Sequence, residues 1–301
     1  MNEINSRVTR GSSSSPFVID GLERVLHALA KRGITISNAG RVPTYIRTLK
    51  RLRLKPRPLE DPKDVMDYLT AMVEGQYVLD AYEGLICPPE VQGCFDKLKQ
   101  ALKGRPDLTA DDPSRDTMVE LVVASCAHRG GIEVHLEEPD VCLVHEGQRY
   151  GVAAKRIRSL DRLQERTREG ANQVQRSQSN GFVVIDLTIA LGFHEGIVAI
   201  PRIEDAKGVL SAVVERISEV LPDDALASWL YEKPLVVGVV GFAYVRGLVE
   251  DGEHPLILRI WGQRPVPTAA PRAREFFRTL PLRLHLAGSD SSERERSEPF
   301  A

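Results

Sequence analysis

The chain has 301 residues, 42% hydrophobic and 27% charged, the composition of a globular protein large enough for a sizeable core. Its formal net charge of −2 gives no global attraction to nucleic acid or to an anionic membrane, so such binding must come from a local patch. No apolar run reaches membrane-spanning length, and "PLVVGVVGFAYVRG" is broken by Gly and Arg, so no membrane partner is expected.

Residues 1–15 and 288–301 are Ser-rich or charged and read as disordered tails. Residues 16–110 read as a helical N-terminal domain of four or five helices. "FVIDGLERVLHALAKRG" repeats apolar residues at three-and-four spacing up to a Gly, and "DPKDVMDYLTAMVEGQYVL" opens with an Asp cap and a Pro. At "ADDPSRDTMVELVVASCAHRGG" the character changes. A helix capped by Asp112 and closed by Gly130 and Gly131 leads into strands "IEVHLEEP", "DVCLVH" and "RYGVAAKR". A polar helix from about Leu160 to Ser179 precedes the β-branched strand "GFVVIDLTI". An amphipathic helix, "DAKGVLSAVVERISEVL", and the strands "PLVVGVVGFAYVRGL" and "PLILRIWGQ" complete residues 111–287. The fold class expected is α/β, a mixed sheet flanked by helices and preceded by the helical domain. Cys87, Cys94, Cys126 and Cys142 match no zinc spacing and, without a secretion signal, read as free thiols of a cytoplasmic protein.

Within "EEPDVCLVHEGQRYGVAAKR", a turn at Glu146–Gly147 sets His145 opposite Gln148 and, counting back, Asp140 opposite Ala153. Alternation puts Lys155 on the face of Ala153 and Asp140, with Val141, Leu143, Val152 and Ala154 on the other, apolar face. Glu120 is the one charge within the apolar helical run "MVELVVASCA", and a buried Glu needs a partner. A divalent cation shared with Asp140 is a suitable one, since Mg²⁺ takes oxygen ligands. The histidines, including His128, His135 and His145, have no spacing that points to zinc or to a nucleophile relay. Asp186 reads as a strand-end cap.

Helix–Glu120, strand, Pro139-Asp140, hairpin and a strand ending in Lys155 resemble the PD-(D/E)XK nuclease superfamily, with its restriction-endonuclease-like core, over residues 112–190. The resemblance implies a metal-dependent nuclease hydrolysing phosphodiesters of DNA, with Mg²⁺ or Mn²⁺ held by Glu120 and Asp140. Lys155 would orient water or stabilise charge, and Gln173, beside Gln175 and Arg176, would act from the following helix. The sequence departs from the pattern at Ala153, where the family carries Glu or Asp. The acid has moved elsewhere, or the chain is an inactive relative that still binds nucleic acid or a partner protein, or a Glu has been replaced by Ala. Bacterial defence against foreign DNA is a setting offered by analogy with the fold. Two basic stretches are candidate phosphate contacts: Arg47, Lys50 and Arg51 within "RVPTYIRTLKRLRLKPR", and Arg156, Arg158 and Arg176 around "KRIRSLDRLQERTR". A homodimer or a partner protein is compatible with the same reading.

Overall fold

Two helices open on the same device. Asp61 and Asp112 each accept a hydrogen bond from the backbone N–H two residues on, just ahead of a proline in the first turn. Such caps satisfy amide groups that have no partner within the helix. In this computed structural model they start α3 (Pro62–Ile86) and α5 (Pro113–Arg129). The structure describes residues 9–12, 15–53, 61–104, 106, 112–196, 198–200, 206–221, 224–249, 256–266 and 269–286.

The remaining helices are α1 (Ser15–Lys31), α2 (Arg41–Arg53), α4 (Cys94–Leu102), α6 (Leu163–Arg176), α7 (Ala206–Val220), α8 (Asp224–Tyr231) and α9 (Pro271–Leu286). The strands are β1 (Thr9–Ser12), β2 (Glu133–His135), β3 (Val141–His145), β4 (Gln148–Arg156), β5 (Gly181–Asp186), β6 (Val198–Ile200), β7 (Val236–Val249) and β8 (Leu256–Pro265). They form an 8-stranded sheet ordered β1-β8-β7-β5-β4-β3-β2, with β6 also on β7. β4, β5 and β7 run parallel, and the flanking pairs are antiparallel.

Helices cover both faces, the arrangement expected where parallel strands lie at the centre of a sheet. One core joins α1 to α5 and α9 to Val152, Ala154, Phe182 and Val184 of the sheet. The other joins α6, α7 and α8 to Ala153, Val183 and Ile185. From Tyr150 to Arg156 every residue of β4 is buried, its successive side chains alternating between the two layers.

Three expectations change. The division expected at residue 110 does not separate two cores, because Tyr77 and Val78 of α3 share one apolar cluster with Val119 and Val122 of α5 and Phe242 of β7. On this face α5 and α9 pack on the strands, α3 reaches them through Tyr77, and α1, α2 and α4 pack on α3 and α5. Within the tail expected to be disordered, Thr9–Ser12 pair antiparallel with Leu256–Arg259 of β8. An edge strand presents a row of backbone donors and acceptors, which a short polar segment satisfies without any apolar pattern of its own. Residues 1–8 and 288–301 lie outside the described residues. Finally, α8 and α9 were not expected. Ala273, Phe276 and Phe277 of α9 lie in the first core, and Phe276 stacks on Tyr150 at 4.2 Å.

Candidate functional site

Glu146 and Gly147 both adopt positive φ, 51° and 73°, and His145 faces Gln148 as the turn composition requires. Pairing of β3 with β4 runs back to Val141 opposite Val152 and stops there. Beyond it β4 continues to Arg156 with β5 as its strand partner, so its other edge is open. Two carboxylates fill that edge. Asp140 Oδ2 accepts the Ala154 N–H at 2.8 Å, and Asp116 Oδ1 of α5 accepts the Arg156 N–H at 2.9 Å. Lys155 Nζ donates to Asp140 Oδ2 and to the Ala154 carbonyl, both at 3.1 Å. Lys155 is only 7% exposed, which rules out a solvated strand end.

Glu120 lies in α5 among buried apolar residues, one helical turn beyond Asp116. Lys97 of α4 approaches its Oε2 at 3.4 Å. Burial, and then the charge of Asp140, push the Glu120 carboxyl up to about 7, against the pull of Lys97 and Lys155. Asp140 is also raised, since burial outweighs the ammonium of Lys155. Glu120 therefore binds its proton more tightly in the folded chain than at the ordinary 4.5. Its contribution to stability is present at acid pH and is lost as pH rises towards 7. Between pH 5.5 and 8 that loss is about 2 kcal/mol. Urea unfolding of Glu120→Gln should lack this component; an unchanged pH slope would place the titrating group elsewhere.

The hard carboxylate oxygens of Glu120 and Asp140 fit Mg²⁺ or Mn²⁺ in kind. Among the described residues, however, no group of three or more His, Cys, Asp or Glu is placed to hold a metal. The donor set is two protein carboxylates, and water and substrate phosphate would have to supply the rest. Ala153 adds nothing to it. Its side chain is fully buried in the second core, and a Cβ built on Gly170 of α6 would stand 3.4 Å from the Ala153 Cβ and 2.7 Å from Val183 Cγ1. Gln173 lies on α6 one turn beyond Gly170, its Oε1 buried without a hydrogen-bond partner, and Gln175 Oε1 is in the same state.

The expected phosphate contacts fare differently. Arg47 donates to the Asn38 carbonyl at 2.7 Å, Lys50 pairs with Glu23 at 2.5 Å and Arg51 with Asp64 at 2.9 Å. Lys50 and Arg51 thus have carboxylate partners, whereas the partners of Arg47 are the Asn38 carbonyl and the Thr44 hydroxyl. The rest of that segment, 54–57, lies outside the described residues. Arg176 is exposed and donates to the Asn172 carbonyl at 3.2 Å. Arg156 does not lie on an exposed phosphate-contacting surface; its guanidinium is buried and salt-bridged. It bonds Glu74 at 2.5 Å and lies 3.1 Å from Asp186. Asp186 caps as expected, accepting the Thr188 N–H at 2.9 Å, but also accepts the Tyr77 hydroxyl at 2.7 Å.

Glu74, Arg41 and Arg115 were overlooked. Arg115 bonds Glu74 at 2.6 Å, and Arg41 Nη1 stands 3.9 Å from it. Burial alone would raise the Glu74 carboxyl, but Arg156, Arg115 and Arg41 together outweigh it and hold it at about 2. "TAMVEGQY" carries the signal that flagged Glu120, a lone acid in an apolar helical run.

Comparison with protein-family models, with curated proteins and with solved structures found no match.

Proposed function

We propose that this protein is a metal-dependent phosphodiesterase acting on DNA, built on a restriction-endonuclease-like core. The observation that carries the reading is the meeting of Glu120, Asp140 and Lys155 where β3 leaves β4. Asp140 is tied to Lys155 at 3.1 Å, and its charge helps push Glu120 up to about 7. Two carboxylates that repel one another gain from a shared cation. Glu120 and Asp140 would hold a divalent ion, which when bound polarises a phosphate and acidifies water. Lys155 keeps a fixed ammonium beside that position, where it can stabilise charge developing on phosphate oxygens. Asp140 orients Lys155, and the Ala154 N–H orients Asp140. Glu120 would have to lose its proton to serve as a ligand, so affinity for Mg²⁺ should rise with pH up to about 7. In this reading the acid expected at residue 153 is supplied from α5.

The test is cleavage of linear and supercoiled DNA with Mg²⁺ or Mn²⁺. Lys155→Ala should lower the rate at least about a hundredfold while metal-induced stabilisation persists. Asp140→Asn should lose both. Cleavage that survives both substitutions would remove this cluster from the chemistry.

A second reading, a binding module without chemistry, is favoured by one observation: Ala153 is sealed against α6 and leaves the site two carboxylates. Calorimetry discriminates the two. Mg²⁺ and Mn²⁺ binding weaker than millimolar, with DNA still bound, favours the module.

A further inference from the structure

Glu120 and Asp140 each already face an ammonium. Lys155 stands 3.1 Å from Asp140, and Lys97 stands 3.4 Å from Glu120. Lys97 belongs to α4, outside residues 112–190, which carry the nuclease resemblance. Cys94, Leu98 and Ala101 of α4 bury in the first core, which seats α4 against α5 and brings Lys97 to Glu120. The two pairs differ in kind. The Lys155 side chain is 8% exposed, and its ammonium also donates to the Ala154 carbonyl, so it is fixed in place. The Lys97 side chain is 31% exposed, and Glu120 is its one side-chain partner among the described residues. Hydrogen bonds between charged groups commonly run at about 2.7–2.9 Å, so the Lys97 contact is loose. A partly exposed pair of that length contributes little, and a flexible ammonium returns to water readily.

The charges of this cluster cancel before any metal enters: two carboxylates, Glu120 and Asp140, against two ammoniums, Lys97 and Lys155. A divalent ion seated on both carboxylates would bring the total to +2 and would stand beside Lys97. Like charges a few ångströms apart repel strongly where water is scarce. The ion and Lys97 would also compete for the same oxygen, Glu120 Oε2. Lys155, tied to Asp140 and to the backbone, has no such freedom to leave. An ionised phosphodiester removes part of the surplus positive charge. An ammonium released from Glu120 is free to meet that phosphate, because its side chain already reaches solvent.

We propose that Lys97 is a substrate-binding residue of this site, held on Glu120 until a divalent ion displaces it and then turned onto the DNA phosphate. This rests on the reading of Glu120 and Asp140 as the pair that holds the metal. Metal and substrate then favour one another. The metal frees Lys97, and the phosphate gives the freed ammonium a partner. By linkage the DNA strengthens metal binding by the factor through which the metal strengthens DNA binding. Lys155 stays fixed beside the metal position, whereas Lys97 follows the substrate. The helices ahead of α5 thereby gain a part in substrate binding.

The experiment compares the full chain with Lys97→Met, which keeps an apolar stem and removes the ammonium. Lys103→Met, at the exposed end of α4, controls for the loss of one positive charge. Thermal melts confirm that both variants fold. Mg²⁺ binding is measured by calorimetry without DNA, at alkaline pH so that Glu120 is ionised throughout. Lys97→Met should bind Mg²⁺ about three- to fivefold more tightly than the parent, the strength of a partly exposed ion pair. Binding of a fluorescent DNA duplex is then measured in Ca²⁺, which takes the same kind of oxygen ligands. There Lys97→Met should bind about threefold more weakly or worse, with a salt slope flatter by about one. Lys103→Met should change neither affinity. Opposite changes in metal and DNA affinity are not what a merely structural loss produces. Mg²⁺ affinity that is unchanged or reduced, DNA affinity that is unchanged, or equal effects from Lys103→Met overturn the proposal and leave the phosphodiesterase reading standing. Mg²⁺ binding absent from parent and variant alike, with and without DNA, removes that reading and the proposal together.

Discussion

Glu74→Gln is expected to lower stability by about 3–5 kcal/mol, because it leaves buried arginines without the charge that compensates them. Glu74 receives Arg156 at 2.5 Å and Arg115 at 2.6 Å, with every side chain of the cluster almost fully buried. Gln keeps the shape and one acceptor oxygen but removes the ionised carboxylate. For a chain of this size the melting temperature should fall by roughly 6–20 °C, at about 2–4 °C per kcal/mol. Acid sensitivity gives a second readout. Glu74 is held at about 2 against an ordinary 4.5, so its contribution is full above 4.5 and is lost as pH falls towards 2. That component amounts to roughly 3 kcal/mol and should be missing from the Gln variant. A variant that melts within two or three degrees of the parent, with the same acid profile, would show that the arginines find other partners at little cost.

Ala153→Glu should be destabilising by about 3–5 kcal/mol, combining overpacking with burial of a carboxyl in an apolar layer. The Ala153 side chain sits in the core formed with Ala171, Val174, Val183 and Ile185, so close to α6 that even a methyl group on Gly170 would stand 3.4 Å from it. The introduced carboxyl would be neutral when buried, so the loss should be smallest at acid pH and grow as pH rises. Millimolar Mg²⁺ should not repair it. If the variant instead matches the parent in stability and is further stabilised by Mg²⁺, the new side chain reaches the opening between β3 and β4. The acidic pattern would then be completed from β4, and Glu120 would lose its place in it.

The hairpin could be read from the sequence because two independent constraints agree: the Glu146–Gly147 turn fixes register and alternation fixes faces. Glu120 could be read because an isolated carboxylate in an apolar helix demands a partner. Alternation did not reveal that both faces of β4 are buried. It correctly separates Lys155 from Arg156, but which layer each meets depends on helices far away in the chain. Arg156 consequently looked like a phosphate contact and is an internal counter-ion of Glu74. The basic run in α2 shows a related limit of composition: it records arginines and lysines, whereas Glu23 and Asp64, which pair with two of them, belong to other helices. β1 has no pattern at all; its conformation belongs to the edge of β8. In α9 the proline at 281 interrupts the helical pattern, which argues against a helix when the sequence is read alone.

The placement of α3 has a consequence for how the chain matures as it is made. Glu74, Tyr77 and Asp80 are synthesised early, yet their buried partners come much later: Arg156, Asp186, and Arg259 of β8, which bonds Asp80 at 3.0 Å. The strand at Thr9–Ser12 likewise waits for Leu256–Arg259. Until the last strand leaves the ribosome, α3 carries ionised groups on a surface destined for the interior, and the sheet has an unfinished margin. Distant pairings of this kind slow folding and leave partly built states exposed to association. Nascent chains halted before β8 should therefore be protease-sensitive throughout the N-terminal helices, and protection should arrive late, across the chain at once.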